Sequence, residues 1–523
     1  MLALPVLLGL VVADANVYTL DPARPHARHV AIVDGRFAYV GDDLGAARRA
    51  AGPGAEQLDA AGATVVPGFN DAHVHFGLSF TLGAEDAIDL GAGVDDRATL
   101  ERRIRAAAAR PVGPERHDWI FVTVRALPTG IATGADLPHI ARPLFVVTEH
   151  GGLLNLAAQR RLGLGREDAP AGQVRGRLLP AALDRVVKSL PRPVLAAAAR
   201  RFLAEAARVG ITSVQLMDEL PELFEALRRE GALTLRVRMI AFGFRFETPR
   251  YVPRFAAPDP DWVRLDAVKY FDDDWARLPR TDLMHLHEDA RTTALPIVVH
   301  VLSRAALGSL LDQLERLEAA APGGAVHFRL DHVDEATPEQ AARIHKLGLV
   351  VCSNPAMLPE WRSERAFPMR TLLDAGVTLC MGSDFVGRHA PARPLAPLSA
   401  IAAAVTHGGF GTQERISAED ALRAFTTGSA AAEARTDKGA IRTGALGDLV
   451  GLTGDPLTAA PEAVAQLDVR FTVVGGRVVY ARRAPPPVRP PPSSIGPGDR
   501  PTPPRQPPPP SIGPPSVPPD TKK

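Results

Sequence analysis

From residue 64 to about residue 435 the chain alternates short apolar runs with long stretches rich in Ala, Leu, Arg and Glu, and this alternation limits the fold more than any other feature. Strands separated by helical lengths of chain are not joined as hairpins; they line up in parallel, with helices covering their faces. Candidate strands fall at 64–69, 119–124, 144–148, 212–216, 235–241, 265–271, 297–301, 326–330, 349–353 and 378–381. Helices such as 193–209 and 304–320 lie between them. The most economical arrangement is a (β/α)8 TIM-like barrel over 64–435. Residues 77–190 exceed what two strand–helix units need, which predicts an inserted subdomain.

The flanks read differently. Residues 1–63 carry short β runs at 8–15, 29–33 and 36–40 around the Asp34-Gly35 turn, and residues 436–483 return to β runs at 447–452, 469–474 and 477–480. The last two form a hairpin across Gly475-Gly476. Two β modules at the ends of one barrel are expected to pair into a composite, discontinuous β-sandwich. Proline then marks a further boundary: 18 of the 49 prolines fall after residue 484. Residues 484–523, with two copies of Ser-Ile-Gly-Pro, cannot bury enough apolar surface to order themselves and are expected to be a disordered tail. Polyproline II segments there could recruit a partner, but nothing else in the sequence supports one.

Composition excludes several classes. A formal charge of +1 offers no broad basic surface to nucleic acid. Two cysteines cannot make a disulfide framework; Cys352 and Cys380 sit in apolar runs and read as reduced core residues on neighbouring strands. The opening MLALPVLLGLVVADA is apolar but lacks the cationic start of a secretory signal, and no run approaches the ~18 residues of a spanning helix. A cytoplasmic protein acting on a small molecule, without membrane or nucleic acid, is the expectation; a homo-oligomer is compatible with the sequence.

The chemistry concentrates at predicted strand ends. Pro67-Gly-Phe-Asn-Asp-Ala-His73-Val-His75 closes the first barrel strand, and histidines at i and i+2 on an extended segment face one side. The same spacing at His285-Leu-His287 lies in a helix-like stretch, where i and i+2 diverge, and reads as surface. Lys269, His300 and His332 end successive strands at intervals of one strand–helix unit, and Asp384 follows in Met381-Gly-Ser-Asp. Only six of the sixty basic residues are lysine, so one kept inside a barrel strand suggests a task arginine cannot perform. Six residues on five strand ends, converging on the C-terminal mouth of a barrel, describe a metal site.

These motifs resemble the metal-dependent amidohydrolase superfamily, and specifically amidohydrolase family 3, which includes N-substituted formamide deformylase-like enzymes. The resemblance runs from about Val12 to Tyr480 and includes Tyr18-Thr-Leu-Asp-Pro, Gly210-Ile-Thr-Ser-Val, Ala421-Leu-Arg-Ala-Phe-Thr and Lys438-Gly439. It implies a zinc site in which His73, His75 and Asp384 hold one ion, His300 and His332 hold a second, and Lys269 bridges them as a carboxylated lysine. Zinc lowers the pKa of bound water toward ~7, supplying hydroxide at neutral pH. Asp384 would act as general base and pass the proton to the leaving nitrogen, with His332 assisting at the carbonyl. The implied reaction is hydrolysis of a non-peptide C–N bond in an amide, formamide, carbamate or cyclic amide.

His150 aligns with a family histidine resembling a substrate-pocket residue, and Arg388 with His389 follows Asp384 in a loop able to meet substrate. The pocket departs from the family pattern elsewhere. The chain reads His300-Val-Leu-Ser-Arg where the family usually has His-Ala-Ile-Gly-Asp, Cys352-Ser-Asn-Pro where Val-Gln-Pro is common, and Gly176-Arg-Leu-Leu for Gly-Val-Leu-Glu. The ligand positions survive these changes, so the reaction class carries over better than any substrate. An aminohydrolase releasing ammonia from a heterocycle, or an inactive metal-binding scaffold, stays open at this stage.

Overall fold

The computed structural model describes residues 9–482 apart from 78, 80–87, 90–95, 114–116, 125, 149–150, 177, 244–254, 271–286, 289, 321–327, 359–365, 386–394 and 410. The Pro-rich tail, His150, His285, Arg388 and His389 lie outside the described residues. Eight parallel strands form the central sheet: β1 (Phe69–Val74), β2 (Ile211–Leu216), β3 (Arg236–Phe242), β4 (Val263–Tyr270), β5 (Ile297–Val301), β6 (Phe328–His332), β7 (Val350–Ser353) and β8 (Thr378–Met381). A parallel bridge between Val74 and Phe385 brings β1 back to the end of β8 and closes the barrel.

The helices bury one stripe each. In Arg304–Ala320 the buried residues are Leu307, Leu310, Leu311, Leu314 and Leu317, a three-to-four spacing that lays one face on the barrel. Truncating such a leucine to alanine costs about 2–5 kcal/mol. Helix Pro338–Lys346 begins at a capping box in which Thr337 accepts from the Gln340 backbone at 3.2 Å and Gln340 accepts from the Thr337 backbone at 3.0 Å.

Three smaller β-sheets accompany the barrel. A five-stranded sheet, ordered Gln173–Val174, Gly151–Leu154, Leu144–Thr148, Ile120–Thr123, Ile88–Asp89, lies within the insertion. The predicted strands at 119–124 and 144–148 belong to it rather than to the barrel, and Leu100, Ile104, Ile120, Val122 and Leu144 give it a core of its own. The terminal segments meet in a six-stranded sheet, where Leu449–Leu452 pairs antiparallel with Thr64–Pro67. Its partner is a four-stranded sheet from residues 10–59, and Val12, Val17, Ile32, Phe37, Leu449 and Phe471 fill the space between them.

One boundary differs from expectation. The run at 64–69 is not a single barrel strand: Thr64–Pro67 joins the six-stranded sheet, and the barrel begins at Phe69. Gly68 makes the crossing, because a Cβ there would lie 2.2–2.7 Å from Thr212 side-chain atoms. Among the described residues no helix is long and apolar enough to cross a membrane. Cys352 and Cys380 are buried free thiols, in register on β7 and β8.

Candidate metal centre

Each candidate ligand arrives by its own backbone route. His73 lies in β1 and His75 one residue past its end, on the side that inward-facing residues of an extended segment share. Asp384 is carried by the turn after β8, which packs directly on β1: the Asp384 amide donates to the His73 carbonyl at 2.8 Å, and the Ser383 amide to Asp71 Oδ1 at 2.9 Å. The approach requires glycine at 382, where a Cβ would stand 2.5 Å from the His73 nitrogen. Asp384 (φ 46°), His332 (φ 77°) and Val333 (φ 50°) all take left-handed backbone conformations. Such geometry costs about 1–3 kcal/mol per residue and persists only where surrounding contacts enforce it.

The result is a compact donor set. His73 Nε2 and His75 Nε2 are 3.2 Å apart, and Asp384 Oδ1 lies 3.5 Å from the first and 3.3 Å from the second. Donors placed 2.0–2.2 Å from a tetrahedral zinc stand about 3.3–3.5 Å from one another, so these three atoms fit such an ion. His332 extends the cluster, its ring 5.0 Å from that of His73 and 4.5 Å, edge-on, from that of His300. His73 is almost completely buried while the His75 side chain is 20% exposed, so the cluster reaches solvent at His75.

Electrostatics match that use. Burial pushes His73 down to about 4 and His332 to about 3, and holds His300 well below the ordinary imidazole range, helped by His332 and Lys269. Burial alone would raise the Asp384 carboxyl, but His73, His75 and His332 overcome it and hold Asp384 well below the usual carboxylate range. Neutral imidazoles with lone pairs beside an ionised carboxylate are the forms that bind a metal.

Lys269 is buried near the end of β4, with its Nζ paired to Asp331. Burial pushes its ammonium pKa down, opposed by Asp331. Asp331 was not singled out from the sequence, yet it also accepts from Arg329 Nε at 2.7 Å and lies 3.0 Å from His73 Nδ1. A carboxylate at Nδ1 favours the proton there and leaves Nε2 as the donor atom to a metal. The overlooked signal is the pattern Phe328-Arg-Leu-Asp-His: charged residues alternate with apolar ones in a strand that should be apolar throughout. Asn354, which in the sequence stands out only as a departure from the family pattern, is fully buried and hydrogen-bonds His332. Asp218, just past β2, accepts from the Gly77 amide at 3.1 Å, beside the His75 segment.

One expectation needs correction. His287 is buried rather than on the surface, because it shares a helical face with buried Ala290 three residues on. Lys438, outside the barrel strands, is a second buried lysine and pairs with Glu433.

An eight-stranded barrel carrying His-x-His on its first strand, further histidines on its fifth and sixth and an aspartate after its eighth defines a metal-dependent hydrolase of the TIM-barrel class. The chain belongs to the amidohydrolase family, whose profile matches residues 56–480, and it is a hydrolase of carbon–nitrogen bonds other than peptide bonds. It is 27% identical to the N-substituted formamide deformylase of Arthrobacter pascens, over 90% of this chain and 98% of that one. Among solved structures it resembles an uncharacterized metal-dependent hydrolase from Pyrococcus horikoshii OT3, with TM-score 0.65, 19% identity and coverage of 87% and 99% of the two chains. It also resembles atrazine chlorohydrolase TrzN from Arthrobacter aurescens TC1 complexed with zinc, with TM-score 0.53, 16% identity and coverage of 90% and 95%.

Proposed function

We propose that this chain is a zinc-dependent amidohydrolase that cleaves a non-peptide C–N bond in a small amide, formamide, carbamate or cyclic amide. The observation that carries the reading is the convergence of His73 Nε2, His75 Nε2 and Asp384 Oδ1 to within 3.2–3.5 Å of one another. These three residues would hold one zinc, His300 and His332 a second, with Lys269, carboxylated on Nζ, between them. When bound, zinc would lower the pKa of water toward ~7 and polarise the scissile carbonyl.

The chain's own groups do the rest. Asp384, an ionised carboxylate in the folded chain, accepts the proton of the attacking water and returns it to the leaving nitrogen. The Asp331 carboxylate, 3.0 Å from His73 Nδ1, favours a proton on that nitrogen and so a lone pair on Nε2. Burial favours the uncharged Lys269 amine that must attack CO2 to form a carbamate, while the Asp331 carboxylate favours the ammonium. His150 and Arg388 are proposed to contact substrate.

Metal analysis of the purified protein should return one to two zinc per chain, and a correctly folded preparation that takes up none would overturn the reading. A screen of small amides, formamides, carbamates and heterocyclic amines then assigns the substrate, and ammonia release from a heterocycle alone would move the protein to the aminohydrolases.

A further inference from the structure

A fully buried amide ties the two strand ends that carry His332 and Asp384 together. Asn354 Oδ1 lies 2.8 Å from His332 Nδ1, and Asn354 Nδ2 donates to the Gly382 carbonyl at 2.9 Å. The side chain therefore spans from β6 to the turn after β8, across the end of its own strand β7. Only one orientation of the amide satisfies both contacts. The Gly382 carbonyl is an acceptor, so the NH2 must face it; Oδ1 then faces the ring, and the ring nitrogen opposite must carry the proton. We infer that Asn354 is a positioning residue that fixes His332 in its Nδ1–H tautomer, leaving Nε2 as the lone pair offered to the metal cluster. The inference rests on the zinc-hydrolase reading for its purpose, though not for its geometry.

A neutral amide suits this position better than a carboxylate or an aliphatic side chain. Aspartate at 354 would keep an acceptor for His332 but face the Gly382 carbonyl with a second acceptor. An aliphatic residue would lose both contacts and leave the Gly382 oxygen and the His332 nitrogen buried without their partner, an arrangement proteins avoid. The left-handed backbone at His332 and Asp384 needs outside restraint, and Asn354 supplies it to both strand ends through one side chain.

Three measurements test the role. In metal-free protein labelled with [15N]histidine, long-range 1H–15N correlations, assigned by their loss in His332→Gln, should show protonated Nδ1 and unprotonated Nε2 at His332. A protonated Nε2 in the parent protein overturns the inference with no variant needed. Asn354→Leu should lose that tautomer preference and weaken zinc binding about 10–100-fold in a chelator competition. Asn354→Asp, which keeps the acceptor, should stay within about threefold of the parent in zinc affinity. If Asp and Leu weaken zinc equally, the tie to Gly382 and not the tautomer matters, and the inference fails. If the parent protein binds no zinc, the hydrolase reading fails, and the tautomer measurement still decides what Asn354 does.

Discussion

The two ends of the barrel interior are both crowded with buried charge, yet they are built on opposite rules. At the N-terminal end Glu433 accepts from Lys438 Nζ at 2.7 and 2.8 Å, from Asn70 Nδ2 at 2.7 Å, from Arg238 Nε at 3.2 Å and from Gln215 Nε2 at 3.3 Å. Each anionic oxygen there meets donors. At the C-terminal end Nε2 of His73 faces Nε2 of His75 across 3.2 Å, beside an ionised carboxylate. A region whose charges cancel through hydrogen bonds holds strands together. Ring nitrogens and a carboxylate oxygen converging on one point mark a place fit for a cation. Buried charge alone therefore does not identify a site; the sense of its hydrogen bonds does.

The largest effect should come from the open end. Asp384→Asn keeps the shape but removes the proton acceptor and an anionic ligand, and turnover on the substrate found by screening should fall at least about 10³-fold. Thermal unfolding of the variant should stay close to that of the parent. A large loss of stability would make Asp384 a structural residue and erase the contrast.

The closed end should behave in reverse. Glu433→Ala leaves Lys438 and Arg238 as uncompensated buried cations, which costs about 3–5 kcal/mol in denaturant unfolding. Zinc affinity of the folded fraction should be unchanged. Acid provides an independent reading of the same residue. Burial would raise the Glu433 carboxyl, but Lys438 and Arg238 overcome that and hold it down to about 2. Its folded pKa is below the unfolded one, so its stabilisation is complete above about pH 4.5 and drains away as pH falls toward 2. Glu433→Gln should flatten stability against pH across that window; an unchanged acid slope would show that the carboxylate is not paired in solution.

Lys269→Ala probes the mouth from the side of the cation. If Lys269 bridges two ions, metal content should drop by about one per chain, and small carboxylates should restore part of the activity. If Lys269 serves only as the counter-ion of Asp331, metal content should hold and stability should fall, as at the closed end.

How much of this was legible in the sequence follows from the same contrast. Seven of the eight barrel strands overlap apolar runs, and His300, His332 and Asp384 stand at or just past their ends; β1 reads Phe-Asn-Asp-Ala-His-Val and is marked by His73 and His75 rather than by an apolar run. Asn354 reaches His332 across 22 residues of chain, Glu433 reaches Asn70 across 363, and Asp331 meets His73 from a different strand of the barrel. No local periodicity encodes such a pairing. The split of the 64–69 run was hidden for a related reason: Thr64–Pro67 is as apolar as a barrel strand because it is buried just as completely, against the terminal sheet.

The smallest expected effect lies at the joint between the two ends. Arg329 donates from Nη1 to Gln215 Oε1, and Gln215 Nε2 donates to Glu433 and to the Ser429 carbonyl at 3.0 Å, so this glutamine links the Asp331 side to the Glu433 side. Gln215→Met keeps the volume and removes the link. Arg329 retains its bonds to Asp331 and to the Ala72 carbonyl at 2.7 Å, so the loss should be about 1–3 kcal/mol for one buried donor left unsatisfied. Zinc affinity and the His332 tautomer should not move, because Asp331 and Asn354 still hold their histidines. A variant that lost zinc affinity along with stability would show that the closed end tunes the open one through Arg329, and the two ends would then be one charge network rather than two.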